Sequence, residues 1–229
     1  MSGRFHTDIK RSAGFVAKKM TSPAQPLRKH PHIFEIQAAH LFQQKEGKPA
    51  EMGHLKSVPD SYWQKIAAQG FDAVWLMGVW QRSPQARESA LQSDDLQKAC
   101  RLILSDCKNE DISASPYAVY NYQLEPKFGS PEDLLDLRRK LNSLGLKLIL
   151  DFVPNHLALD HPAVETSPDL FIQSSQMDFE KDPRTFFKTS QGLYLAHGKD
   201  PHFPAWTDTV QVNYFSPGYC RFSQEQLLK

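Results

Sequence analysis

The sequence predicts an α/β fold built on parallel strands. Three apolar runs, at residues 32–42, 71–80 and 146–153, have the near-continuous hydrophobic character of strands that are covered on both faces. Helical patterns at residues 59–69 and 131–144 lie between these runs. Such β-α-β units join parallel strands through a right-handed crossover.

Local signals at the helix ends support both helix predictions. Pro59 lies near the first turn of the first helix, Gly70 follows its end, and Ser57 is a candidate cap. Ser130 is the predicted N-cap of the second helix, and Gly145 closes that helix. Its acidic residues lie in the first turn and its basic residues toward the other end, as the helix dipole favours.

Two stretches depart from this repeat. The first excursion, residues 81–114, mixes leucines with many polar residues, and we interpret it as an insertion with one or two short helices. The second excursion, residues 157–218, is irregular and rich in Pro, His and aromatic residues. Residues 219–229 have the pattern of a helix that is only beginning.

Length and charge exclude several classes of protein. The 229 residues carry a formal net charge of +1, so neither nucleic acid nor an anionic membrane is an expected partner. No apolar run approaches the roughly 18 residues that are needed to cross a bilayer. Residues 1–31 are basic, as organelle transit peptides are, but we interpret them as a poorly ordered lead-in without the apolar core of a secretory signal.

The cysteines do not suggest a disulfide framework. Cys100, Cys107 and Cys220 are few and odd in number. We therefore predict reduced thiols and a cytoplasmic location.

A polar motif follows the third apolar run. Residues 151–156 read DFVPNH, which places a carboxylate at the end of a strand with an amide and an imidazole just beyond it. Active sites of α/β barrels lie at the carboxyl ends of their strands. The sequence therefore predicts a site at this edge of the sheet.

This motif resembles the D-x-V-x-N-H segment of the α-amylase family, whose members are glycoside hydrolases and transglycosylases acting on α-glucosidic bonds. Three further segments resemble family motifs in the same order: GFDAVWL at 70–76, SPYAVYNY at 115–122 and FGSPEDL at 128–134. The resemblance covers roughly residues 32–217.

The resemblance implies a partial (β/α)8 TIM barrel. Residues 32–156 would form about the first three β/α units, with the first excursion inserted. Residues 157–218 would be the excursion called domain B, which forms one wall of the cleft in this family. The implied partner is an α-glucan or a small α-glucoside.

The resemblance also implies roles for three residues in substrate binding. His156 would hydrogen-bond a sugar hydroxyl, although a core histidine satisfied by the backbone is the alternative. Tyr117 would stack under the same sugar, or be an ordinary loop tyrosine. Asp151 would orient neighbouring polar groups, or serve architecture alone.

Asn155 is a candidate calcium ligand by the same resemblance. Its side-chain oxygen binds calcium in many members, and oxygen ligands suit that ion. However, the family's second ligand is an Asp, and Gln211 stands at its place. We therefore favour no cofactor, with Asn155 holding the loop by hydrogen bonds.

The resemblance places no catalytic carboxylate within this chain. The family nucleophile is an Asp in a G-x-R-x-D segment after strand four, the acid/base is a Glu after strand five, and residues 157–229 contain no such segment. We expect the N-terminal part of a retaining enzyme, inactive alone and prone to self-association through an open sheet edge. The alternatives are a non-catalytic glycan-binding or relic fragment, and an unrelated α/β protein with a chance match.

Overall fold

The computed structural model describes residues 27–43 and 54–227. Contacts divide the chain into two units, residues 1–30 and 31–229, and every described helix and strand belongs to the second unit. Most of the basic segment 1–31, for which we predicted poor order, lies outside the described residues.

A three-stranded parallel sheet stands at the centre of the fold. It has the order β1-β2-β5, with β1 at Ile33–Gln37, β2 at Ala73–Met77 and β5 at Lys147–Leu150. Ile33 pairs with Ala73, and Ala73 pairs with Lys147, so the first residues of the three strands are aligned with one another. The predicted α/β class is confirmed, and the described strands form no closed barrel.

Two helices connect these strands and cover the sheet. They are α2 at Asp60–Ala68 and α5 at Pro131–Ser143. The core that they share with the sheet contains large side chains that are almost fully buried, among them Trp63, Phe128, Leu76, Leu141 and Leu146. Each contributes roughly 1.5–3 kcal/mol to folding through its burial.

The cap predictions for these helices had different outcomes. Ser130 caps α5 as predicted, because its Oγ accepts the amide N–H of Asp133 at 3.3 Å and the Asp133 carboxylate accepts the amide N–H of Ser130 at 2.8 Å. Lys56 lies 2.5 Å from Asp133 and, with these bonds, lowers the pKa of that carboxyl to about 2. The Ser57 prediction was wrong: α2 follows Pro59 without a side-chain cap, and Ser57 donates to the carbonyl of His54.

Both early apolar runs are divided in the structure. The run at 32–42 is a strand only to Gln37, after which α1 spans Ala38–Gln43, since alanine favours a helix and short apolar runs fit either structure. The run at 71–80 is interrupted at Gly78, whose φ is +70°. Beyond it, β3 (Trp80–Arg82) pairs antiparallel with β4 (Val119–Leu124).

The first excursion contains two helices, α3 at Pro84–Gln92 and α4 at Asp94–Ile103. Cys100 in α4 forms a disulfide with Cys107, so the prediction of reduced thiols was wrong for this pair. The pairing joins residues only seven apart, which a count of cysteines does not reveal. Cys220 is free and exposed.

The second excursion is more regular than its sequence suggests. β6 (His156–Ala158) pairs antiparallel with β10 (Thr209–Gln211). A separate sheet contains β7 (Gln173–Ser174), β9 (Tyr194–Ala196) and β8 (Phe186–Lys188), in that order. The excursion also contains the helices α6 (Ala163–Thr166) and α7 (Gln176–Lys181). A second core forms here around Phe171, Leu195, Val210 and Val212.

The remaining elements are a last helix and four short 3-10 turns. Helix α8 spans Tyr219–Leu227 and so begins where the predicted block 219–229 begins. The 3-10 turns are Leu55–Ser57, Asn109–Asp111, Pro126–Phe128 and Pro168–Leu170. Within residues 27–43 and 54–227, no helix is both long and apolar enough to cross a membrane.

Candidate active site

A cavity of about 900 Å³ opens beside the carboxyl ends of the parallel strands. Three segments that are far apart in sequence supply its polar wall: the segment that follows the first excursion, the segment after β5, and the turn that leads into β10. The polar and aromatic side chains among its lining residues are Trp75, Ser115, Tyr117, Asp151, Phe152, His156, Trp206, Asp208 and Thr209. The three predicted substrate-binding residues, Tyr117, Asp151 and His156, all line this cavity.

Asp151 fastens the end of β5 to the end of β2. Its Oδ1 accepts the indole N–H of Trp75 at 2.8 Å, and its Oδ2 accepts the amide N–H of Gly78 at 2.5 Å. Its backbone carbonyl accepts the indole N–H of Trp80, also at 2.8 Å. A carboxylate held by these donors positions its neighbours in the way that orienting groups of active sites do.

Gly78 makes room for the segment that carries Tyr117. A Cβ built on Gly78 would lie only 2.7 Å from the Cβ of Pro116. Arg82 crosses the same place, since its guanidinium donates to the carbonyls of Gly78 and Ala114. Tyr117 follows Pro116 in this segment, is more than a third exposed and lines the cavity.

Two buried tyrosines hold the segment between Asp151 and His156. The amide of Val153 donates to the hydroxyl of Tyr122 at 2.8 Å, and the hydroxyl of Tyr219 donates to the carbonyl of Pro154 at 2.5 Å. Burial raises the pKa of each of these two phenols to about 12. Both therefore stay protonated, and the segment is fixed from β4 on one side and from α8 on the other.

His156 lies at the junction of the two halves of the site. It begins β6, pairs with Gln211 of β10 and is almost completely buried. Its ring centre lies 5.0 Å from that of Trp206, and its Nδ1 lies 3.2 Å from the Asn155 amide nitrogen. Burial lowers the pKa of His156, although the Asp208 charge and the Tyr117 backbone oppose that shift. The imidazole is therefore neutral at pH 7, with one donor and one acceptor.

A glycine permits this close packing around His156. A Cβ on Gly198 would lie 2.9 Å from the Cβ of His156 and would also overlap Thr209. The backbone of Gly198 instead forms a bridge with Trp206, whose amide donates to the Gly198 carbonyl at 2.8 Å. The second excursion thereby lies directly against the imidazole.

The surroundings of Asn155 do not fit a calcium ion. The Oε1 of Gln211 accepts the amide N–H of Lys199 at 2.9 Å, which orients its Nε2 toward Asn155. That Nε2 donates to both the side-chain oxygen and the backbone carbonyl of Asn155, each at 3.0 Å. A cation would meet an N–H donor at this place, and no group of three or more His, Cys, Asp or Glu side chains within the described ranges could hold a metal ion.

Trp206, Asp208 and Thr209 were not among the predicted site residues. They reach the cavity because β10 pairs with β6, which brings residues about 50 positions beyond His156 back beside it. Three-residue strands within an irregular stretch give no periodic signal that could predict such a pairing. The only local feature that could have indicated a site here is an aromatic residue, Trp206, two positions before an acidic one, Asp208.

A family model described as the α-amylase catalytic domain matches residues 41–215. This chain belongs to the α-amylase family. The match covers the first excursion, the second excursion up to residue 215, and every residue that lines the cavity except Ile33.

Several relatives share shorter segments with this member of the family. Alpha-amylase 3 of Dictyoglomus thermophilum is 29% identical over 104 residues, which are 42% of this chain and 19% of that protein. Maltase A2 of Drosophila melanogaster is 46% identical over 54 residues, which are 23% of this chain and 10% of that protein. An amino acid transporter heavy chain of Mus musculus is 40% identical over 52 residues, or 22% and 8% of the two chains.

Solved structures of the family share this fold. An α-amylase from Lactobacillus plantarum superposes with a TM-score of 0.55 at 20% identity, over 86% of this chain and 35% of that chain. A mutant of MutB in complex with the substrate sucrose gives 0.61 at 17% identity, over 90% and 34%. A trehalose-6-phosphate hydrolase of Bacillus licheniformis gives 0.58 at 16% identity, over 86% and 32%. This chain thus spans about a third of these structures.

Proposed function

We propose that the cavity is part of the sugar site of a retaining enzyme that acts on α-glucosides or α-glucans, by hydrolysis or by transfer. The observation that carries this proposal is the meeting of Tyr117, Asp151 and His156 in one cavity beside the carboxyl ends of parallel strands. Barrel enzymes hold their substrates at this edge. The family to which the chain belongs supports the same reaction class.

In this proposal His156 binds a sugar hydroxyl. Its neutral imidazole is paired with Asn155 on one side and interacts with the Tyr117 backbone on the other. A hydroxyl that enters the cavity can accept a hydrogen bond from the ring N–H that is not turned toward Asn155. Burial of the imidazole strengthens that hydrogen bond because water no longer competes for it.

Tyr117 stacks against the same sugar. One face of a pyranose ring is lined with C–H groups, and a flat aromatic ring covers such a face well. Asp151 does not bind the sugar directly in this account. It fixes Trp75 and Gly78, and Gly78 in turn leaves space for Pro116 beneath Tyr117.

The parallel strands represent the first three units of a (β/α)8 barrel, and the second excursion represents domain B. This proposal follows from the sheet order and from the position of residues 157–218 against His156. A retaining mechanism needs a nucleophile and an acid/base whose carboxyl groups stand about 5 Å apart. We propose that both come from later strands, so that this chain by itself does not cleave a glycosidic bond.

The test uses the native gene product. Its intact mass is compared with the 26.1 kDa of this chain, and it is incubated with maltotriose while the anomer of the first product is followed by NMR. We expect a larger protein that releases the α-anomer, and a loss of about 100-fold or more in kcat/KM for His156→Ala. A native protein that releases the β-anomer, or that neither binds nor cleaves any α-glucoside, would contradict the proposal.

One observation favours a second candidate function, a glycan-binding protein without catalysis. The similarity to an amino acid transporter heavy chain covers 52 residues at 40% identity, so the shared motifs do not belong to enzymes alone. A native protein of 26.1 kDa that binds maltotriose without turnover, and loses binding on Tyr117→Ala, would favour this candidate.

A further inference from the structure

The carboxylate of Asp208 lines the wall of the cavity, and none of the described residues donates a hydrogen bond to it. Asp208 is half-buried and lies in the turn between Trp206 and β10. Its backbone carbonyl accepts the amide N–H of Leu159 at 3.0 Å, which fixes the turn. Across residues 27–43 and 54–227 its side chain has no hydrogen-bond or ion-pair partner, and its charge acts instead on His156 and His197.

The charge around the cavity is negative on the side that the structure describes. Two carboxylates, Asp151 and Asp208, line it, and no lysine or arginine stands among its described lining residues. Asp151 already accepts hydrogen bonds from Trp75 and Gly78. Asp208 is therefore the carboxylate with capacity for a ligand that enters the cavity.

The neighbour of Asp208 in the wall suits a sugar ring. The indole of Trp206 lies beside His156, and its backbone alone holds the turn: the amide donates to Gly198, and the carbonyl accepts the amide and hydroxyl of Thr209 at 3.1 and 2.9 Å. The side chain is thus left for the cavity. An apolar ring face next to an unpaired carboxylate matches the C–H face and the hydroxyl edge of a pyranose.

We propose that Asp208 sets the charge specificity of this site, so that it takes neutral glucosides and rejects sugar phosphates. The inference rests on the proposed function and adds a substrate class to it. A half-buried carboxylate accepts hydrogen bonds from sugar hydroxyls, whereas a phosphate group offers it no donor at neutral pH and repels it. Specificity of this kind comes from the repulsive group as much as from the attractive ones.

The fold alone does not decide this point. The solved structures that resemble the chain include a trehalose-6-phosphate hydrolase and a MutB mutant in complex with sucrose. A neutral sugar and a sugar phosphate are therefore both named for proteins of the same fold. The choice has to come from side chains in the wall of the cavity.

The experiment compares two probes that differ by one phosphate group, methyl α-glucoside and its 6-phosphate. Binding to the 229-residue chain is followed through the Trp206 indole N–H signal in NMR titrations at low salt. We expect the phosphate to bind at least about tenfold more weakly than the neutral glucoside. Asp208→Asn should reduce that difference to about threefold or less, and added salt should also reduce it in the wild-type protein.

Two further variants control the result. Asp106→Asn removes an exposed carboxylate outside the cavity and should leave the difference unchanged. Asp208→Glu keeps the charge and should keep the rejection of the phosphate, while thermal melting verifies that each variant is folded.

The outcomes separate this inference from the proposed function. If both probes bind equally well, or if Asp208→Asn leaves the difference intact while Tyr117→Ala abolishes binding, the inference is overturned and the sugar site stands. If neither probe binds the wild-type protein, the inference and the sugar site fail together.

Discussion

At the scale of single residues, the two carboxylates of the cavity have opposite environments. Asp151 accepts an indole and an amide N–H and so joins two strands, whereas Asp208 has no such partner within the described part of the chain. In the proposed function the first carboxylate positions its neighbours and the second is available to a ligand. The type of residue is the same in both cases, and only the occupied hydrogen bonds distinguish the roles.

Replacement of Gly78 should disturb the site more than an ordinary glycine change. Gly78→Ala forces a Cβ against Pro116 and keeps a φ of +70°, so we expect a loss of about 2–5 kcal/mol in the free energy of unfolding. Gly70→Ala is the matched control, because its φ is +83° and nothing lies within 4 Å of the added atom. Urea unfolding measures both, and equal losses would contradict the proposed contact.

Protonation of His156 should lower the free energy of unfolding at acid pH. Burial lowers its pKa below the usual 6.5, so the folded state binds the proton more weakly than the unfolded state does. The stabilisation is complete above about pH 6.5 and is lost as the pH falls toward the pKa of the folded state. Sugar binding should decline as the pH falls through the pKa of the folded state, because imidazolium can no longer accept the Asn155 N–H that orients the ring.

An NMR titration of the His156 ring, assigned with His156→Gln, measures this directly. A midpoint above 6.5 would contradict the buried, neutral imidazole. His197 serves as a comparison, since burial lowers its pKa as well.

At the scale of elements, the antiparallel pair β6–β10 builds the junction between the sheet and the second excursion. Gln211 in β10 bonds to Asn155 beside β6 and to Lys199 between β9 and β10. One amide side chain therefore connects three segments of chain. A carboxylate at this position would lack the N–H donors that make these bonds to Asn155.

Removal of the Gln211 side chain should destabilise the junction between the sheet and the second excursion, and calcium should not stabilise it. Gln211→Ala leaves Asn155 and the Lys199 amide without their partner, so we expect a loss of about 1–3 kcal/mol in the free energy of unfolding. Addition of calcium or of a chelator should leave the melting temperature of the wild-type protein unchanged. A calcium-dependent rise in melting temperature would contradict the hydrogen-bonded arrangement.

The sequence predicted elements with strong local signals and missed those that depend on distant pairing. Ser130 identified the start of α5, because the preference of serine for the N-cap position is a local property of the chain. Asp151 and His156 were predicted from one short motif. Trp206 and Asp208 were missed because the pairing of a three-residue strand brings them to the cavity. The Cys100–Cys107 disulfide was missed because the distance between two cysteines, and not the number of cysteines in the chain, decides whether they pair.

At the scale of the whole molecule, the described sheet has two outer strands, β1 and β5. Each presents backbone groups on the side that faces away from β2, and such edges pair readily with other strands. Self-association of the isolated chain through these edges stays a prediction. Sedimentation at a low and a high protein concentration checks it, and a monomer at both concentrations would contradict it.

The central claim is that the cavity beside Asp151 binds an α-glucoside, and titration of maltotriose into the chain tests it most directly. We expect saturable NMR shifts at the Trp206 indole and the His156 ring, both lost in Tyr117→Ala and retained in the exposed control Phe203→Ala. The absence of any shift at tens of millimolar sugar, or shifts that persist unchanged in Tyr117→Ala, would contradict the account.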